Sequence, residues 1–441
     1  MREALERVRR PGAFLAELEK AWRGWSSEPS PLRDAALRRL HYRPCAGARF
    51  VAEATYEARG SDGSLGHQFY SIHVYPEASR AHQRLAEYLR KPPLPCFGPP
   101  VHVVDAWNAV IFALPNGPRL RKLSWFLDPE GFRRLLTRKG LPLPDEEIPG
   151  SRVEVLRYVP RKRALLRYPA RGDGPARVYV KAYTKPEYPV ARRNHRRMAR
   201  GAASGRLPFR TPPVLGSSKK RRALFLGELP GERLTEHYGS REAQALRAAG
   251  RALAAFHGAS LKPAERWTAA GEFAALLRAM ETLRSAVDGL DPLLADLLRD
   301  LEERRPEDRE EGRTPIHANL FGDQILIHGS EVGIVDWDDL ALGDPNFDMG
   351  RLAAHVLYEK ICCREDPAEA EAVLSTLFGA YAEQAPVRLD PGRLQWHAAT
   401  ALLLRAKISA LRPLPEGWTE LVACSLLQAR RVLEEGLPGL A

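Results

Sequence analysis

The side chains with the clearest chemical pattern lie between residues 316 and 348. His317 and Asn319 sit in a polar loop that runs through Gly322, Asp323 and Gln324 into the apolar run Ile325, Leu326, Ile327. A second apolar pair, Ile334 and Val335, ends on Asp336, which is followed by Trp337, Asp338 and Asp339. A third segment, Gly343-Asp344-Pro345, closes on Asp348. A polar loop entering a hairpin whose far end displays a carboxylate is the arrangement that phosphoryl transfer needs. A hard divalent cation takes oxygen ligands from a carboxylate and an amide, and an acceptor hydroxyl must be held in line with a γ-phosphate.

These residues need a frame. Residues 325–328 and 332–336 read as strand, turn and strand, with Ser330-Glu331 as the turn. Helical spacing predicts helices over 240–257, 273–301, 349–363, 368–385, 393–411 and 418–433, and Gly258 is a natural stop for the first. Upstream, Val178, Tyr179, Val180, Lys181, Ala182 and Tyr183 read as a strand with Lys181 on one face, followed by a helix over 190–202.

The N-terminal half carries the same pattern twice. The run Leu40 to Pro44 resembles Leu156 to Pro160, and Ile72-His-Val-Tyr75 resembles Val180-Lys-Ala-Tyr183. Leu94-Pro95 with Pro99-Pro-Val101 resembles Leu207-Pro208 with Pro212-Pro-Val214. Leu114-Pro115, Gly117 and Arg119-Leu120 are echoed by Leu229-Pro230-Gly231 and Arg233-Leu234, all at offsets between 108 and 116. Helix-like stretches over 79–89 and 190–202 occupy matching places. The expected organisation is an N-terminal helical segment (1–36), a small-lobe-like repeat (37–150), a working small lobe (151–235) and a helical large lobe (236–441), with a Pro-rich linker over 142–150.

At 441 residues, 44% hydrophobic and 28% charged, the composition is that of a globular chain of two or three domains. Apolar runs such as Ala401 to Leu404 are too short to span a bilayer, and the first 22 residues lack the apolar core of a signal peptide. The expectation is a soluble, cytoplasmic protein. The five cysteines form no CxxC pair and read as reduced thiols in core packing. The formal charge of +12 raises nucleic acid as a partner, but the arginines are spread along the chain beside many acids.

The segments quoted from 316 to 348 resemble the catalytic and metal-binding loops of the aminoglycoside phosphotransferase/choline kinase family. That family's pattern is His-x-Asp-x-x-x-x-Asn, then hydrophobic-Asp-Trp/Phe, then Gly-Asp-Pro-x-x-Asp. Leu253-Ala-Ala-Phe-His257 is similar to the family's Leu-x-x-Leu-His helix end, and Glu228-Leu-Pro-Gly231 to its linker. The resemblance covers about residues 155–360. It implies an α+β, protein-kinase-like two-lobed fold, with an antiparallel-sheet small lobe and a mostly helical large lobe, here preceded by a duplicated small-lobe-like domain.

The resemblance also implies ATP and Mg²⁺ as cofactors and transfer of phosphate to the hydroxyl of a small-molecule acceptor. Lys181 falls on the phosphate-binding lysine, Glu228 and Leu229 on the linker that cradles adenine, and Gln324 and Asp336 on the metal ligands. His317 falls on the residue that braces the loop, Asp344 and Asp348 read as caps and anchors of the helix that follows, and His257 reads as packing or capping.

Two positions depart from the pattern. Asn319 stands where the family has its catalytic aspartate, and Gln324 where it has asparagine. Asn319 can orient a hydroxyl but cannot take its proton, so Asp323, Asp338 or Asp339 are candidate substitutes. The helix after Lys181 has no acid over 190–202. Asn194 stands near the place of the lysine's usual glutamate, and Glu187 precedes the expected helix. These departures raise two alternatives: a pseudokinase whose residues 37–150 bind a partner protein, and a nucleic-acid binder whose affinity falls steeply with salt.

Overall fold

The computed structural model describes residues 7–440 apart from 9, 11, 44–46, 58–64, 91, 119, 139, 141–152, 169–176, 240–241, 286, 288, 364–365 and 412–417. The expected linker over 142–150 lies outside the described residues. The chain divides into two compact units: Met1–Tyr188 with Leu215–Glu228 and Leu411–Pro413, and Pro189–Val214 with Leu229–Ala410 and Leu414–Ala441.

The first unit opens with helix α1 (Ala13–Trp25), whose Phe14, Leu18 and Trp22 recur every four residues and are buried. Strands β1 (Leu32–Arg43), β2 (Gly47–Glu57), β3 (Leu65–Val74), β4 (Val101–Val104) and β5 (Ala109–Ala113) follow, with helix α2 (Ala78–Leu89) after β3. They form an antiparallel sheet in the order β1-β2-β3-β5-β4. Two short helices, α3 (Ser124–Leu127) and α4 (Pro129–Arg138), lead to the second sheet.

That sheet consists of β6 (Glu154–Val159), β7 (Arg163–Tyr168), β8 (Val178–Tyr183), β9 (Val214–Ser218) and β10 (Ala223–Gly227), in the order β6-β7-β8-β10-β9. Helix α5 (Glu187–Ala203) follows its third strand. Strand order and helix position are therefore the same in both sheets, as a duplicated small lobe requires.

Equivalent backbone bonds fix the alignment. Tyr75 N–H donates to Asn108 O and Tyr183 N–H to Arg222 O, both at 2.9 Å. Asn108 (φ 49°) and Arg222 (φ 55°) are both left-handed, in the turn before the fifth strand. Leu114 N–H donates to Phe69 O and Glu228 N–H to Arg177 O. Leu114 thus corresponds to Glu228, and the Leu-Pro echo read from the sequence is one residue out of structural register.

In the second unit, helix α6 (Ala243–His257) buries Leu246, Ala249, Leu253 and Phe256 along one stripe. It meets helix α10 (Pro367–Ala382) at Gly250, where a Cβ would lie 2.3 Å from Leu377 O, so only glycine permits this approach. The run expected as one helix over 273–301 is two, α7 (Ala269–Arg284) and α8 (Asp291–Glu303). Gly289 adopts φ 78° between them and Pro292 opens the second.

Short strands β11 (Glu232–Arg233), β12 (Thr314–Ile316), β13 (Ile325–His328), β14 (Glu331–Ile334) and β15 (Ala341–Gly343) carry the loops of interest. The β13–β14 turn is Gly329-Ser330, one residue earlier than expected, because the turn needs a positive φ and Gly329 supplies it at 59°. Helices α9 (Pro345–Leu357), α11 (Pro391–Leu411) and α12 (Trp418–Glu435) complete the unit. Trp337, Phe347 and Trp396 are fully buried. The cysteines correct the sequence reading: Cys362, on the π-turn after α9, is disulfide-bonded to Cys424 of α12, with Cα atoms 5.6 Å apart. Cys96 and Cys363 are not disulfide-bonded.

Candidate active site

The loop after β12 is built on a buried carboxylate. Asp348, in the first turns of α9, is fully buried and accepts from His317 N–H at 2.5 Å and Ala318 N–H at 3.0 Å. His257 Nε2 lies 3.4 Å from the same carboxylate, and its Nδ1 is 2.8 Å from Tyr381 Oη. Asp348 therefore anchors the loop before Asn319 rather than capping its own helix, and His257 bridges two helices to it. These bonds hold Ala318 at φ 63°, a conformation a β-carbon disfavours. Asp344 is the residue that caps α9: its side chain accepts from Asn346 N–H at 2.9 Å and pairs with Arg393. Burial works against Asp344's charge, but His397, Asn346 and Arg393 hold its carboxyl below the usual range.

His317 is fully buried, with Nε2 2.8 Å from Val335 O and its ring 4.7 Å from that of Trp337. Since a carbonyl only accepts, Nε2 carries the proton. His317 thus links the loop to the residue before Asp336. Gln324 makes a second link. Its Oε1 accepts from Phe321 N–H at 3.0 Å, and its backbone oxygen accepts from Val335 N–H at 2.9 Å. Asp336 is left-handed (φ 67°) and half-buried. The structure thus gathers His317, Gln324, Asp348 and the stem of Asp336 into one hydrogen-bonded frame. Asn319 stands half-exposed at its edge, with no side-chain partner among the described residues.

The loop after Asp336 is also clasped by α5, a connection the sequence did not disclose. Asn194, fully buried, donates from Nδ2 to Asp338 O and Leu340 O, both at 3.2 Å. His195 Nε2 is 3.0 Å from Asp338 Oδ1, and both side chains are buried. Asn194 is thus a clamp on the backbone after Asp336, and Asp338 is engaged by His195. Asp323 is exposed and accepts from Thr235 Oγ1 at 3.2 Å, and Asp339 is exposed. The partners of Asn194 and His195 lie 143 or more residues away in sequence, so no local signal announces them.

In the first unit, Lys181 is 8% exposed and pairs across the sheet with Leu165 and Leu224. Strand alternation puts it on the face with Tyr179, opposite Val178, Val180 and Ala182, which pack with Phe126 and Phe132 of α3 and α4. Glu228 Oε1 lies 3.3 Å from Arg177 and 3.5 Å from Tyr179 Oη. Glu187 is the first residue of α5, where Thr184 Oγ1 donates to it at 3.2 Å and Lys162 lies 3.9 Å away. In the second unit, Leu229 covers Gly333, where a Cβ would meet its Cδ2 at 2.6 Å, and Gly231 (φ 135°) runs against Ile327 O.

Residues 160–433 match the model of the phosphotransferase enzyme family. The chain belongs to that family, the protein-kinase-like group of aminoglycoside phosphotransferases and choline kinases. Among solved structures it is similar to the macrolide 2'-phosphotransferase MphH from Brachybacterium faecium (18% identity, 69% of this chain and 98% of that one, TM-score 0.45). It is also similar to the amicoumacin kinase hAmiN (16%, 72% and 96%, 0.49) and a choline kinase from Cryptosporidium parvum (12%, 71% and 98%, 0.47). No curated protein matches the chain in sequence. No helix among the described residues is long and apolar enough to cross a membrane.

Proposed function

We propose that the protein is an ATP- and Mg²⁺-dependent phosphotransferase that acts on the hydroxyl of a small molecule. The observation that carries the reading is the frame around Asn319: Asp348 and Gln324 hold the loop, while Ala318 and Asp336 are kept at φ 63° and 67°. Non-glycine residues hold such conformations where the surrounding structure over-determines them, and here they flank one site.

The donor set fits magnesium. No group of three or more His, Cys, Asp or Glu side chains forms a metal cage among the described residues. A single carboxylate and an amide oxygen, from Asp336 and Gln324, suit an ion that keeps its waters and shares substrate phosphates. Gln324 Oε1 has a second lone pair beyond the one facing Phe321 N–H. Bound there, the ion would neutralise charge on the transferring phosphoryl group. Lys181 would hold phosphate oxygens, the backbone of Glu228 and Leu229 would receive the adenine, and Asn319 would accept a hydrogen bond from the acceptor hydroxyl and aim it.

Phosphoryl transfer depends mainly on position and electrostatics, so an amide at Asn319 slows the reaction without removing its basis. A general base contributes about 10²–10⁴-fold. Asn319→Asp is expected to raise Mg²⁺-dependent ATP turnover by a factor in that range, measured with a panel of hydroxyl-bearing acceptors. A second reading, a nucleotide-binding scaffold without turnover, is favoured by Asn319 itself. It predicts Mg²⁺-dependent nucleotide binding with no turnover in either protein. Failure of both chains to bind nucleotide would remove both readings.

A further inference from the structure

The first sheet has a face equivalent to the one that carries Lys181, and the chain itself fills it. By the backbone alignment, His73 corresponds to Lys181, Ser71 to Tyr179 and Gly117 to Gly231. Ser71 is fully buried and His73 is 3% exposed. Ser71 pairs across the sheet with Val51 on one side and Phe112 on the other. Cross-strand neighbours share a face, so Val51, Ser71 and Phe112 line up with His73.

The residue set against this face is Tyr158 of β6. It is 4% exposed and packs in one apolar cluster with Val51 and Leu114 of the first sheet. Its partner on β7 is Ala164, so it shares the side of the second sheet that turns away from Lys181. A Cβ on Gly117 would lie 2.8 Å from Tyr158 Oη and 3.3 Å from Ser71 Oγ. Gly117 has no need of a positive φ. The glycine is there because the tyrosine hydroxyl takes the space.

The turn that follows Tyr158 lies close to the first sheet. Arg161, at φ 64°, acts electrostatically on both His73 and Tyr75 of the first sheet. At the neighbouring β9–β10 turn, Lys122 donates to Lys220 O at 2.6 Å and Arg221 stacks 4.2 Å over Trp125. Both turns lie at one end of the second sheet, the end of β8 marked by Tyr183, which pairs with Arg163 and bonds to Arg222. In protein-kinase-like enzymes the turn between the first two strands covers the nucleotide phosphates. Such turns are usually glycine-rich, whereas residues 159–163 here contain none.

We propose that the first copy is a positioning domain, whose face of Ser71, His73 and Gly117 is the socket that seats Tyr158 and so fixes the β6–β7 turn over the nucleotide. The socket stands on packing alone, and its effect on nucleotide rests on the phosphotransferase reading above. On this account the chain has one nucleotide site, and the equivalent face of the first copy is closed to nucleotide and to partner proteins alike. Tyr158 and Gly117 are positioning residues that touch no substrate.

A double-substitution cycle on the full chain tests it. Gly117→Ala places a methyl group against Tyr158 Oη, and Tyr158→Phe removes that oxygen. Gly117→Ala alone is expected to speed amide hydrogen exchange at residues 158–163 about tenfold and to raise the MgATP dissociation constant by a similar factor. Adding Tyr158→Phe should return both toward wild type, a rescue that general destabilisation does not give. If Gly117→Ala fails to fold, Tyr158→Ala, which empties the socket, is expected to give the same rise in exchange. Unchanged exchange at the turn, or no rescue by the second substitution, would overturn the proposal. The exchange pattern appearing in a chain that binds no nucleotide would uphold the socket while removing the phosphotransferase reading.

Discussion

The two five-stranded sheets differ most at one position. Both have the same strand order, the same helix after the third strand and the same left-handed residue before the fifth. The second carries Lys181 and the first His73, which packs against Phe112 with ring centroids 5.1 Å apart; both side chains are buried. The helices differ as well. α5 reaches the loop after Asp336 through Asn194 and His195, whereas α2 turns Tyr88 inward to Asn116, whose amide also bonds the backbone of Leu94 on both sides. One scaffold thus serves two ends. Polar residues on that face link outward to a loop in one copy and close an interior in the other.

The largest expected effect separates the copies directly. Lys181→Met should weaken MgATP binding about ten- to a hundredfold, the worth of a charge-assisted bond to phosphate. His73→Met should weaken it less, because His73 acts only through the socket that seats Tyr158. Calorimetric titration of both variants checks this, and equal losses would erase the distinction between the copies.

Acid should find the first copy before the second. Burial pushes His73 down to about 3, with Arg49 and Arg161 adding to the effect. Below its unfolded value near 6.5 the unfolded chain binds a proton that the folded chain refuses, so stability falls as pH drops from 6.5 toward 3. This group alone should cost about 2 kcal/mol between pH 6.5 and 5. Urea unfolding at the two pH values should show that slope reduced in His73→Met. An unchanged slope would mean the site is not closed to protons.

The hydrogen-bonded frame of the loops was the more legible part, because its residues are close in sequence. His317, Gln324, Asp336 and Asp348 were grouped by the resemblance of their segments to one family's loops, and hydrogen bonds join His317 to Asp348 and to Val335, the residue before Asp336. The duplication was legible from weak echoes because their order was kept. Partners brought together only by tertiary packing were not legible. Asn194 was expected near the lysine's partner position and instead clamps Asp338 and Leu340. The Cys362–Cys424 bond joins residues 62 apart, on two helices whose facing could not be read from either. Tyr158 looks like any strand aromatic until the first sheet is set against it.

Two smaller effects sharpen the contrast between the helices. Asn194→Ala leaves two buried carbonyls without their donor and should cost about 2 kcal/mol of stability. Tyr88→Phe removes one hydroxyl from a site that Asn116 keeps otherwise bonded, and should cost about 1 kcal/mol. Denaturant unfolding of each variant measures both. A loss of nucleotide affinity is expected from Asn194→Ala and not from Tyr88→Phe, because only Asn194 holds the loop after Asp336.

The most direct test of the central claim is thermal unfolding of the whole protein with ATP, with and without Mg²⁺, in the wild type and in Asp336→Ala. A ligand at a hundred times its dissociation constant adds about 2.7 kcal/mol, enough to raise the midpoint by some degrees. The account predicts a rise that requires Mg²⁺ and disappears in Asp336→Ala. No rise in the wild type, or a rise that survives Asp336→Ala unchanged, would contradict it.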